Sequence, residues 1–165
     1  MKSIVFRIKA GRLKAEKWWI PKFMFGKTID FIYSVNEAAH YDYNNLVNAW
    51  NRITGVSDFY GNRVFLDFRS GASGVIVSVC FRLLNGTEKR EVISNIIPGV
   101  SYKVTITKDT HFFIVSHTAF ESRVDFTCLH HSKGLLPSCF VRFLPSRLGG
   151  LFTLNKDLKV KLVIK

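Results

Sequence analysis

The sequence predicts an all-β protein, built as an antiparallel sandwich of two sheets, and three observations lead to this prediction. Short runs rich in Val, Ile, Phe, Thr and Tyr recur along the chain, most clearly between residues 62 and 118. Turn dipeptides separate these runs, and Asn85-Gly86 is the strongest hairpin signal among them. A hydrophobic fraction of 47%, with 15 Phe, supplies the core of a single domain over residues 1–165.

The elements follow in order from the local patterns. Residues 2–9 alternate apolar and polar side chains, which predicts a first strand with one face inward, and residues 26–35 predict a second. Residues 37–55 are the only plausible helical stretch, but their asparagines compete for backbone hydrogen bonds, so we expect one short helical turn in a long loop. Residues 62–118 and 139–165 supply the other strands, about nine or ten in all, which indicates two packed sheets.

The charge balance of the chain favours anionic partners. It has 24 Lys and Arg against 12 Asp and Glu, a net charge of +12, which suits nucleic acid, acidic glycans or an acidic protein surface. Because the basic residues are spread over alternating strand positions, a solvated sheet face is the alternative interpretation. No apolar run is long enough for a signal peptide or a membrane span, so we expect synthesis in a host cytoplasm and no membrane insertion.

No motif predicts catalysis. The chain has no G-x-S-x-G nucleophile turn, no alternating acidic residues of the glucanase kind, and no Gly-rich phosphate-binding loop. Glu88 and Glu91 are three residues apart, which places them on opposite faces of a strand. We therefore predict no catalytic residue, no cofactor and a protein that is not an enzyme.

The cysteines and histidines predict no metal site. Cys80 lies in the apolar run 75–84 and is expected to be a buried free thiol. Thiolate and imidazole ligands together suit zinc, but the spacing matches no common zinc site and also fits a hairpin, so the question of zinc stays open for Cys128, His130, His131 and Cys139.

Aromatic and amide side chains cluster in the first third of the chain. Flat aromatic surfaces with polar groups at the rim are typical of shallow carbohydrate sites. The predicted ligand-binding residues are Trp18, Trp19, Tyr41, Tyr43, Trp50, Asn51 and Arg147. As an alternative, Trp50 anchors a long loop on the sandwich. Single-stranded nucleic acid would instead need a basic groove with stacking aromatics, for which the basic candidates are Arg63, Arg69, Arg82 and Lys103.

Two segments of the chain resemble a known family. They are WNRITGVSDFYGNRVFLDFR at 50–69 and FLPSRLGG at 143–150, the latter followed by the alternating KDLKVKLVIK. The matching residues are Trp50, Asn51, Gly55, Ser57, Pro145, Gly149, Gly150 and Asp157. Over residues 41–165 the chain thus resembles small concanavalin A-like β-sandwich proteins of Bacteroidetes and their bacteriophages. The resemblance implies a jelly-roll or concanavalin A-like sandwich with a binding or structural role.

These observations lead to one predicted function and two alternatives. The first is a non-enzymatic structural or binding sandwich that is a bacteriophage virion component, in a tail, a fibre or a capsid decoration. Its partners would be other subunits of the assembly, with contact to host glycans. The alternatives are a lectin-like carbohydrate-binding module and then a basic nucleic-acid-binding protein. A single site requires that the segment 18–50 and the loop 147–150 lie near one another.

Overall fold

The computed structural model describes residues 2–16, 22–41, 49–83, 86–108, 112–117, 120–127, 140–149 and 154–164. Within these residues the chain forms twelve strands and one turn of 3-10 helix at Glu37–Ala39. The strands are β1 (Lys2–Ile8), β2 (Lys22–Gly26), β3 (Thr28–Val35), β4 (Asn51–Asp58), β5 (Arg63–Gly71), β6 (Gly74–Arg82), β7 (Glu88–Ile96), β8 (Tyr102–Lys108), β9 (Phe112–His117), β10 (Phe120–Thr127), β11 (Phe140–Leu144) and β12 (Leu158–Ile164).

The strands form two six-stranded antiparallel sheets. The first has the order β1-β12-β3-β8-β9-β10, and the second has the order β2-β11-β4-β5-β6-β7. Both sheets contain strands from distant parts of the chain, and in the first β1 pairs with β12 along its whole length. The predicted antiparallel two-sheet sandwich is confirmed, and so is the short helical turn within residues 37–55.

The core lies between the two sheets and follows the period of two along each strand. On β5, Val64, Leu66 and Phe68 are buried in the main hydrophobic cluster. On β12, Leu158, Val160 and Leu162 are buried while the lysines between them are exposed, so the solvated-face interpretation holds for this strand. The arrangement leaves the alternate residues of the second sheet facing away from the core.

The number of strands and one boundary differ from the sequence prediction, since the described residues form twelve strands where about nine or ten were expected. Residues 51–55 were expected in the loop, but β4 already begins at Asn51, where this residue pairs with Phe68 of β5. The asparagine content of the preceding segment favours a loop, and pairing with β5 overrides that local preference. The hairpin predicted at Asn85-Gly86 joins β6 to β7, with Arg82 opposite Glu88 and Gly86 at φ 87°.

A buried histidine connects three strands of the first sheet. His117 is only 4% exposed, and its Nε2 atom lies 2.8 Å from the hydroxyl of Tyr33. Its ring stacks on Tyr102 with 5.6 Å between the ring centres. Burial lowers the pKa of His117 to about 4, so the ring is neutral at pH 7.

The lowered pKa of His117 predicts a loss of stability in acid. Between pH 6.5 and 4 the unfolded chain binds a proton on this histidine that the folded chain does not bind. The free energy of unfolding is therefore highest above pH 6.5 and decreases as the pH is lowered towards 4. We expect His117 to account for a loss of about 2 to 3 kcal/mol by pH 4. Urea unfolding of the wild type and of His117→Gln at pH 7 and pH 4.5 measures the effect. Equal losses in the two proteins would contradict it.

Candidate ligand-binding face

The outward surface of the second sheet carries arginines, carboxylates and one aromatic ring. Strands β4 to β7 pair side by side, with register shifts after Arg52 and before Ser78, and their outward residues are neighbours across the sheet: Arg52 lies opposite Asp67, and Asp67 lies opposite Ser78. Phe65 lies opposite Cys80, which in turn lies opposite Arg90. We call this surface the arginine face; it consists of Trp50, Arg52, Phe65, Asp67, Arg69, Ser78, Cys80, Arg82, Glu88 and Arg90.

The arginine face has a small apolar base of its own. Phe65, Cys80 and Leu144 are buried and form a cluster separate from the main core. The guanidinium of Arg52 lies 4.1 Å from the ring centre of Phe65, and that of Arg82 lies 5.5 Å from it. Cys80 is therefore buried as predicted, and burial raises the pKa of its thiol to about 12, which keeps it protonated.

An ion-pair network crosses the arginine face above β6. Arg90 Nη1 donates to Asp67 Oδ2 over 2.7 Å and to Ser78 Oγ over 3.0 Å. Burial raises the pKa of Asp67, and the Arg90 guanidinium opposes this effect. Glu88 accepts a hydrogen bond from Arg82 Nε over 2.9 Å, and the hydrogen bond with Arg82 lowers the pKa of Glu88. Four arginines face two carboxylates, so the face is net positive.

Trp50 covers one end of the arginine face. The guanidinium carbon of Arg69 lies 4.6 Å from a ring centre of Trp50, and that of Arg90 lies 4.7 Å from it. A cation held at this distance over an indole interacts favourably with the ring's electron density. The half-buried indole is thus positioned by arginines from two different strands, β5 and β7.

The loop 147–149 holds Trp50 in place from the other side. Gly149 N donates to Asn51 Oδ1 over 2.9 Å, and Arg52 and Arg147 exchange two backbone hydrogen bonds of 2.7 and 3.1 Å. A Cβ atom at Gly149 would overlap the carbonyl oxygen of Trp50, so only glycine fits this contact.

The structure brings together four of the seven residues predicted as ligand-binding. Tyr41, Trp50, Asn51 and Arg147 lie at the start of β4, so the two regions expected to share a site are in contact there. Trp18, Trp19 and Tyr43 lie outside the described residues. Ligand binding stays a prediction for all seven.

The four described residues differ in what their side chains do. Asn51 is 4% exposed, and its Nδ2 donates to the Tyr41 hydroxyl over 3.0 Å, so both side chains stabilise the start of β4. Trp50 is half-buried on the arginine face, in agreement with either interpretation made from the sequence. The side chain of Arg147 is exposed.

The sequence prediction missed most of the arginine face. Arg63, Arg69 and Arg82 were candidates for a basic groove together with Lys103, but Lys103 lies on the other sheet and pairs with Asp30 over 3.6 Å. The sequence pattern that could have indicated this face is the alternation along β5 that places Arg63, Phe65, Asp67 and Arg69 on one side of the strand.

Metal and membrane features were also searched in the described part of the chain. No group of three or more His, Cys, Asp or Glu residues there could hold a metal ion. Cys128, His130, His131 and Cys139, whose zinc binding was left open, lie outside it. No helix in the described residues is long and apolar enough to cross a membrane.

Comparison with known proteins identifies the fold. No protein-family model matches the sequence, and no curated protein matches it. The chain is similar to a Bacteroides ovatus mixed-linkage glucan GH16 protein in complex with a G4G4G3G product (TM-score 0.56, 9% identity, 99% of this chain and 81% of that chain). It is also similar to an alginate lyase from Alteromonas sp. 272 (TM-score 0.54, 10% identity, 99% and 86%) and to an ancestral congerin (TM-score 0.51, 16% identity, 88% and 99%). The fold is a concanavalin A-like sandwich.

These similarities correct one prediction and leave another open. The prediction that the chain is not an enzyme is wrong. Its fold is found in the GH16 protein and the alginate lyase as well as in congerin, so this fold is compatible with catalysis. Missing sequence motifs therefore do not exclude catalysis on this fold. An origin in Bacteroidetes or their bacteriophages, implied by the sequence resemblance, stays a prediction.

Proposed function

We propose that the chain is a carbohydrate-binding β-sandwich whose ligand lies across the arginine face. The observation that carries the proposal is the outward-facing indole of Trp50 beside the guanidinium groups of Arg69 and Arg90. A sugar ring offers an apolar face to an aromatic ring and hydroxyl groups to charged donors and acceptors. Glycan contact was expected from the sequence, and the concanavalin A-like fold shared with glycan-acting proteins supports it.

The structure also offers support in the rigidity of this surface. The groups of the arginine face project from β-strands, and Arg90, Asp67, Glu88 and Arg82 hold one another in place. Such a surface needs little reordering when a ligand binds, which reduces the entropic cost of binding. The predicted place in a bacteriophage particle and the predicted assembly partners stay predictions, because neither the fold nor the arginine face tests them.

A glycan array with neutral and acidic oligosaccharides tests the proposal. We expect the wild type to bind one class of glycans and Trp50→Ala to lose about tenfold in affinity, because removal of a stacking ring costs about 1.4 kcal/mol. Phe59→Ala is the matched control, since this exposed aromatic lies just after the far end of β4. The same glycans are assayed for newly formed chain ends, so that cleavage is detected together with binding.

The measurements distinguish loss of the binding site from loss of the fold. Thermal unfolding establishes that Trp50→Ala is folded, and Arg69→Gln is a second variant that keeps the indole while removing one of its guanidinium contacts. The proposal is wrong if the wild type binds no glycan, or if the Trp50 and Phe59 variants lose affinity equally.

A further inference from the structure

The arginines of the arginine face are unevenly matched by carboxylates. Arg90 pairs with Asp67 and Glu88, and Arg82 pairs with Glu88. Arg52 is different: its Nε atom is buried and has no hydrogen-bond partner among the described residues. A buried donor without an acceptor costs free energy. Arg52 as a whole is only half-buried, so a ligand can approach the part of this residue that stays exposed.

The electrostatic surroundings of Arg52 favour an anion there. Burial is the main cause that lowers the pKa of Arg52 to about 10; the Asp67 carboxylate opposes this effect, and the charges of Arg147, Arg63 and Arg82 add to it. The guanidinium groups of Arg52 and Arg82 lie over the ring of Phe65, and the charges of Arg63 and Arg147 are near enough to act on Arg52. An anionic group placed among them would relieve their mutual repulsion and accept hydrogen bonds from a planar donor fork.

The face as a whole fits a polymer that combines hydroxyl and carboxylate groups. Glu88, whose side chain is 37% exposed, can accept a hydrogen bond from a sugar hydroxyl, but its carboxylate and that of Asp67 would repel the evenly spaced phosphates of a nucleic acid strand. Stacked bases would also need several exposed rings, whereas Phe65 is buried beneath Arg52 and only Trp50 offers ring surface among the described residues of the face.

We propose that the glycan bound on the arginine face is acidic, and that Arg52, together with Arg82 and Arg147, binds a carboxylate of a uronate residue in it. This inference rests on the proposed function and specifies its ligand class. Trp50 then contacts a neighbouring sugar ring of the same chain, at the other end of the face.

The test compares two forms of one polymer. Polygalacturonate carries free carboxylates, and fully methyl-esterified polygalacturonate has the same sugars without charge. We expect the wild type to bind the free acid about tenfold to a hundredfold more tightly than the ester, as hydrogen bonds to a charged acceptor predict. Isothermal titration at fixed ionic strength measures both, and alginate serves as a second uronate polymer.

Variants locate the contribution of Arg52. We expect Arg52→Gln to lower affinity for polygalacturonate about tenfold or more and affinity for the ester by a much smaller factor, because the ester accepts hydrogen bonds without carrying a charge. Lys103→Gln removes the same charge from the opposite sheet and is expected to leave both affinities unchanged. The comparison of polymers uses the wild type alone, so it stands even if Arg52→Gln unfolds.

The outcomes distinguish this inference from the proposed function. Equal binding of acid and ester, or preference for neutral glycans on the array, overturns the inference and leaves the proposed function intact. Equal or tighter binding of a poly-dT strand, which carries no carboxylate, overturns it in favour of a general polyanion site or a nucleic acid. Absence of binding to any glycan overturns both.

Discussion

Replacement of Lys108 by methionine is expected to lower the free energy of unfolding by about 3 to 5 kcal/mol, because it leaves a carboxylate buried without its partner. Lys108 Nζ bonds to Asp58 Oδ2, and the side chains are 7% and 0% exposed. The pair joins β8 of the first sheet to β4 of the second. Asp58 also accepts hydrogen bonds from Asn62 N over 2.9 Å and Asn62 Nδ2 over 3.0 Å, so it cannot turn away towards solvent.

A double-mutant cycle separates the pair from the packing. The double variant Lys108→Met with Asp58→Asn keeps an acceptor for Asn62 and removes both charges, so we expect it to be more stable than Lys108→Met alone. Urea unfolding at pH 7 gives all four free energies. If Lys108→Met lowers the free energy of unfolding by less than about 1 kcal/mol, the ion pair is exposed to water in solution and adds no more to stability than a surface ion pair.

Replacement of Arg90 by methionine is the second change with a large expected effect. Asp67, whose side chain is 9% exposed, loses its ion-pair partner, and Ser78 loses a donor. We expect a loss of about 3 kcal/mol at pH 7.5. Without Arg90 the already raised pKa of Asp67 rises further, because only the charge of Arg52 then opposes the effect of burial.

The pH dependence of the Arg90 variant tests the cause of its instability. A carboxyl group whose pKa is higher in the folded state binds its proton more readily there, so folding is favoured as the pH falls through that pKa. The deficit of Arg90→Met is therefore expected to shrink between pH 7.5 and pH 5. Arg82→Met is the matched control. Its ion-pair partner Glu88 has a side chain that is 37% exposed, so loss of the Arg82–Glu88 pair should cost less than about 1 kcal/mol. If Arg90→Met is less stable than the wild type by the same free energy at every pH, its instability comes from lost packing and not from the charge of Asp67.

The fold could be predicted from the sequence because its signals are local. The alternation of Ile29, Phe31, Tyr33 and Val35 along β3 and the glycine turn at Gly86 each report a strand or a hairpin within ten residues. The start of β4 could not be predicted in the same way, because Asn51 is held by partners distant in sequence, Phe68 and Gly149.

The arginine face depends on register between strands, which single-sequence patterns do not specify. Arg52 and Asp67 are neighbours only because β4 and β5 pair as they do, and Asp67 meets Arg90 only across β6. Aromatic residues were the usable signal, and they made Trp50 a candidate but did not indicate the guanidinium groups around it.

Gly149 and Arg147 would respond differently to sequence variation in a library of variants. Any larger residue at position 149 would displace the backbone of Trp50 and with it the indole, so this position resists change. Arg147 keeps its two backbone hydrogen bonds to Arg52 whatever its side chain is, except for proline, and that side chain is exposed. Substitutions at position 147 could therefore alter the ligand preference. Glycine kept at position 149 would meanwhile hold the Trp50 ring in place.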